Sequence, residues 1–166
     1  MSTLGDAARI NLLLSDYAAA DAANKINVLG LGWQVTRILP ETGLTAPHAL
    51  VVTIDVPPGF AGDEFSFEVG LYDTGGDLVE APGPSGEPAP IRIGQAIVTE
   101  APVFQGHYVP KGEVWCHNQA VINFAGGLPL AVGNTYEWRV SIDGNHDERW
   151  TMSFHVAGSA PGPVIG

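Results

Sequence analysis

The stretch Asp143-Gly144-Asn145-His146-Asp147-Glu148 sets three acids, an amide and an imidazole within six residues. Asp143, Asn145 and Asp147 have the D-x-N-x-D spacing that opens a calcium-binding loop, where oxygen ligands at alternate positions wrap a hard cation. The rest of that motif is missing: its glycine position holds Glu148, and its bidentate glutamate position holds Phe154. The competing reading is the tip of a β-hairpin, because Asp and Asn tolerate left-handed backbone and bond their own chain. The flanks decide between the two. In Tyr136–Asp143, Tyr136, Trp138, Val140 and Ile142 fall on one face; in Trp150–Val156, Trp150, Met152, Phe154 and Val156 do. Two such strands joined by a polar, Gly-containing loop make a hairpin over a core. Asp143, Asn145 and Asp147 remain the metal candidates, and the hairpin is the expectation.

Other chemistry is sparse. His48, His107, His117, His146 and His155 are scattered, with no H-x-H or H-E-x-x-H pair for zinc. Cys116 and His117 are adjacent, but neighbours on a strand point to opposite faces, so they cannot readily form a thiolate–imidazole pair. There is no G-x-S-x-G elbow. The Gly30-Leu31-Gly32 segment continues as a strand rather than opening a helix, so it is not a phosphate cradle. No catalytic residue and no cofactor are expected, and the chain reads as a non-enzyme. Four residues could form a ligand face by aromatic stacking, with sugars the natural class: Trp33, His107, Tyr108 and Trp115.

The elements that would position these residues have a period of two. Ile10, Leu12 and Leu14 alternate in a first strand, and Ala18–Lys25 reads as an Ala-rich link with one helical turn at most. Lys25–Ile38 reads as one strand with a bulge at its glycines. Leu50, Val52, Ile54 and Val56 alternate next, followed by Phe65, Phe67, Val69 and Leu71. Residues 81–90 carry four prolines, which lack the donor a sheet ladder needs, so an exposed loop of polyproline character is expected there. Strands follow at 91–101 and 115–124, with an irregular stretch between. The result is an all-β chain, an antiparallel β-sandwich of immunoglobulin-like or jelly-roll-like type, with about eight or nine strands and little helix. One domain is expected over residues 1–156, followed by an extended Pro/Gly tail over 157–166.

The 166 residues include 18 acids and 7 bases, for a net charge of −11. That field repels phosphate backbones and anionic membrane surfaces, so neither nucleic acid nor membrane is an expected partner. The lone Cys116 cannot form an internal disulfide. The opening residues contain no basic segment before their short apolar run, so neither a signal peptide nor a transmembrane segment is expected, and a cytoplasmic or virion location follows.

The segment Asn11–Ile38, read with His48–Pro57 and with the closing Val121–Val156 region, resembles a small family of actinobacterial and actinophage proteins grouped only as a domain of unknown function. The likeness covers most of residues 9–156 and lies in structural motifs. It implies a small β-sandwich and supplies no catalytic residue. The leading expectation for function is therefore a structural or interaction protein, a subunit of a larger assembly such as a phage virion (capsid decoration or tail component). Its contacts would be with other copies or other proteins, through an apolar-tipped arm bearing Pro161, Pro163, Val164 and Ile165. The alternatives are a carbohydrate- or small-ligand-binding module and, less favoured, a calcium-dependent or hydrolytic enzyme.

Overall fold

The computed structural model describes residues 3–158. After a short helix, α1 (Thr3–Ala7), the described chain forms twelve strands: β1 (Arg9–Ser15), β2 (Tyr17–Ala20), β3 (Ile26–Leu29), β4 (Val35–Arg37), β5 (His48–Val56), β6 (Glu64–Asp73), β7 (Glu80–Pro82), β8 (Pro88–Pro90), β9 (Arg92–Val98), β10 (Cys116–Phe124), β11 (Thr135–Ile142) and β12 (Asn145–Ala157). The fold is an all-β sandwich. One sheet has the order β1-β5-β10 and the other β4-β12-β11-β6-β9, with two-stranded ribbons β2-β3 and β7-β8 added. All pairings are antiparallel except β4 with β12. Among the described residues, no helix is long and apolar enough to cross a membrane.

Alternation places the core. Leu14, Leu50, Val52, Ile54 and Val56 face Phe65, Phe67, Val69, Trp138, Val140 and Phe154 between the sheets, all 2 % exposed or less. Trp138 stacks on Phe124 at 5.2 Å. Each such side chain contributes about 1.5–3 kcal/mol by leaving water. The second face of β5 is also covered near its start. Ala18 of β2 packs on Ala49 and Val51 of β5, with Leu13, Ile26, Val28 and Val121 around them. Small residues let this ribbon approach closely, and Asn123 Nδ2 ties it down by donating to Ala18 O at 3.0 Å.

Three sequence expectations change, and together they raise the strand number. The Ala18–Lys25 link is not helical; β2 pairs with β3 from Tyr17↔Leu29 to Ala20↔Ile26, and as a strand it buries Ala18 against Ala49 and Val51. The expected single strand over 25–38 breaks into β3 and β4. Gly30 takes φ +62°, and a Cβ there would stand 2.0 Å from Asp16 Oδ2, so the chain turns off tightly against Asp16. Residues 81–90 are exposed, but they form the β7-β8 ribbon rather than a structureless loop. Ile91 N–H donates to Val79 O and Gly83 N–H to Glu87 O. Pro82, Pro88 and Pro90 therefore fall at the intervening positions, whose missing donors would have pointed away from the partner strand. Pro84 sits inside the Gly83–Gly86 turn.

The β11-β12 hairpin forms as expected. Asp143 (φ +49°) and Gly144 (φ +76°) are its two-residue loop, the pairing that suits a type I′ turn. Asn145–Glu148 belong to β12. A bulge in β12 lets the register jump from Arg139↔Thr151 to Ser141↔His146. Trp150 keeps the inward face of Phe154 and Val156, 3 % exposed, and on the tip side of the bulge His146 Nδ1 donates to Val140 O at 2.7 Å.

Candidate interaction surface

The metal candidates are each engaged elsewhere. Asp143 Oδ1 accepts the Ser66 N–H at 2.9 Å, and the Asp143 N–H donates to Ser66 O at 2.8 Å, so this side chain pins the hairpin tip to β6. Asn145 Nδ2 donates back to Asp143 O. Asp147 accepts from the Arg149 side chain at 2.9 and 2.8 Å and from the Arg149 N–H. Those bonds hold the Asp147 carboxyl down at a pKa of about 2. Among the described residues, no three His, Cys, Asp or Glu side chains come together in a way that could hold a metal ion.

Strand alternation separates Cys116 from His117. The thiol is fully buried in the core, where burial pushes its pKa up, and the imidazole lies on the outer face. His117 Nδ1 instead meets Asp55 Oδ1 at 2.6 Å, directly across from it on β5. Such a pair could orient a general base. It lies on an open sheet face, with side chains 50 % and 32 % exposed. Only the β5-β10 register brings the two together, so no sequence signal marks the pair.

The four aromatic candidates divide between the two ends of the sandwich. Trp33 packs against His48 at 5.5 Å and Phe154 at 6.0 Å, at the start of β5. Trp115 immediately precedes Cys116, which pairs with Val56 at the far end of β5. At about 3.3 Å per residue those ends are roughly 26 Å apart. The Arg9 guanidinium covers the Trp115 ring at 4.1 Å. His107 and Tyr108 lie on the long connection from β9 to β10, near Trp115 rather than Trp33. The proposed arm residues Pro161, Pro163, Val164 and Ile165 lie outside the described residues.

That connection carries four exposed large apolar side chains, Val103, Phe104, Tyr108 and Val114. Its base is fixed. Thr99 is buried; its N–H donates to Asp63 O at 2.9 Å, its carbonyl accepts from Gly62 N–H at 2.8 Å, and its hydroxyl donates to Phe60 O. Beyond it, Pro102 and Pro110 interrupt strand pairing. Tight turns follow at Gly106 and Gly112, both at positive φ, with the His107 N–H donating to Phe104 O. Val103 is 90 % exposed, Tyr108 86 % and Phe104 65 %. The Phe104 and His107 rings stand 4.8 Å apart. Beneath them lies a cleft of ≈ 490 Å³ lined by Pro58, Pro102, Phe104, His107, Lys111 and Val114, among others, with no carboxylate in its lining. The loop is continuous with β9, itself exposed at every position but Ile97. In the sequence, 102–113 stands out only as irregular, and its Val103-Phe104 pair between breakers is the available signal. No protein-family model matches the chain, and no curated protein matches it.

Proposed function

We propose that this chain is a non-enzymatic interaction protein that docks on a protein partner through the 101–115 loop. The exposure of Val103, Phe104 and Tyr108 on one loop carries this reading. Single exposed apolar residues are ordinary, but a cluster rooted on a fixed base is the pattern of a contact surface. Phe and Tyr are typical interface anchors, and burying each recovers a share of the hydrophobic stabilisation now forgone. The acid-free lining of the cleft, in a chain of net charge −11, favours a partner surface that is apolar and not basic. A subunit of a larger assembly, such as a virion of an actinobacterial phage, is the setting that the family resemblance favours. A carbohydrate-binding role has weaker support, since Arg9 occupies the face of Trp115 and Trp33 sits at the other end of the sandwich.

The test is a photo-crosslinking residue placed at Phe104, with the same residue at Gly86 in the β7-β8 turn as control. In cells producing the full chain, a discrete adduct from position 104 and none from position 86 is expected. No adduct from position 104, or the same adducts from both, would refute the loop as a docking surface.

A further inference from the structure

Among the described residues, β9 is an edge of the five-stranded sheet with no strand paired on its outer side. Its register with β6 decides which backbone groups are free. Leu71 N–H donates to Ile91 O, and Thr99 N–H donates to Asp63 O. The ladder to β6 therefore runs through the odd-numbered residues, and the N–H and C=O groups of Arg92, Gly94, Ala96 and Val98 point to the open side. Edge strands are ordinarily blunted by proline, lysine, bulges or brevity. β9 uses none of these. Its register with β6 is unbroken over seven residues, it holds neither proline nor lysine, and its single charge, Arg92, stands at its start. The opposite edge, β4, is three residues long. β1 already gives its Leu14 carbonyl to the Gly32 N–H at 2.8 Å.

We infer that β9 pairs antiparallel with β9 of a second copy across a two-fold axis, joining two five-stranded sheets into one. The sequence Arg92-Ile-Gly-Gln-Ala-Ile-Val98 is self-complementary when centred on Gln95. Ile93 then faces the partner's Ile97, Gly94 faces the partner's Ala96, and Gln95 faces the partner's Gln95. This centre uses all seven residues, and Gly94 and Ala96 both present free backbone groups, so the hydrogen-bond parity is correct. The core-side row also continues. Ile93, Gln95 and Ile97 lie on the same face as Val69, Phe67 and Phe65, and Ile93 is 37 % exposed in the single chain. Charge agrees. β9 contains no carboxylate, so the pairing brings no acids of this acidic chain face to face; Arg92 lies opposite the partner's Val98 and diagonal to the partner's Glu100. Such a closed, isologous contact is the commonest protein symmetry.

This extends the interaction reading but uses the β9 backbone rather than the loop, so the two can fail separately. The test is light scattering of the full chain across a wide concentration range. Wild type is expected at twice the mass of one chain. Gln95 is exposed, so charged replacements there leave the fold intact. Gln95→Glu and Gln95→Lys each set like charges directly opposite one another and should each give the mass of one chain. An equimolar mixture of the two variants should restore the doubled mass. Wild type at the mass of one chain throughout would overturn edge pairing while leaving the crosslinking test of the loop untouched. A wild-type oligomer that both single variants retain would also overturn it, and would point to the loop if Phe104→Ser dissolved it.

Discussion

β5 buries both of its faces near its start, and the two burials are built from different parts. Toward the five-stranded sheet, Leu50, Val52, Ile54 and Val56 meet large rings, Phe65, Phe67, Trp138 and Phe154. Toward the β2-β3 ribbon, Ala49 and Val51 meet Ala18, a side chain of one carbon. Farther along that outer face, where the ribbon does not reach, β5 turns polar at Thr53 and Asp55, which bond Asn11 and His117. The inner layer fills space with side-chain volume, whereas the outer layer works by backbone proximity. A deletion should therefore damage the inner layer most, and an addition should damage the outer one.

The largest expected effect is on the inner layer. Trp138→Ala should cost about 3–5 kcal/mol, the range for deleting a buried aromatic, seen as a lower urea midpoint for the whole chain. An effect below about 1 kcal/mol would mean the sheets close around the loss. Next comes Ala18→Leu, which inserts volume where the ribbon lies close and should cost about 1–3 kcal/mol. Its signature should be local: amide exchange should quicken in β2 and β3 and stay slow in β11 and β12. Uniform quickening would erase the distinction between the layers.

The smallest effect is a pH slope. His48 is the buried histidine of the inner layer, with Nδ1 donating to Ala46 O at 2.9 Å and its ring against Trp33 and Phe124. Burial holds its pKa below the ordinary histidine value. Below about pH 6.5 the unfolded chain binds this proton more readily than the folded one, so His48's contribution is complete above that pH and is lost as pH falls through the folded pKa. The drop in melting temperature from about pH 7 to about pH 5 should be larger for wild type than for His48→Phe. Equal drops would remove His48 from the acid response.

The inner layer was legible in the sequence because alternation is a local signal: Leu50 to Val56, Phe65 to Leu71 and the Asp143-Gly144 loop each announce their own face. The outer layer was not. Alanine has little strand preference of its own, so the Ala18–Ala20 segment is held as a strand by its pairing with β3 and by the burial of Ala18 on Ala49 and Val51. The prolines of β7 and β8 are tolerated by hydrogen-bond parity, which depends on a partner strand. Among the candidate surfaces, the aromatics of the 101–115 loop were visible as residue types. That β9 is an edge, and that Trp33 and Trp115 stand at opposite ends, follow from strand order, which no short stretch of sequence contains.

The hairpin that pins itself to β6 through Asp143 also sets a schedule. During synthesis β1 and β5 can pair as soon as Val56 has emerged, yet the rings that cover their inner face include Trp138 and Phe154. At roughly 5–20 residues per second, Thr135 follows Val56 by about 4–16 s. For that interval the inner faces of Leu50, Val52 and Ile54 lack part of their cover, which makes the nascent chain, rather than the finished fold, the form most exposed to wrong strand pairing.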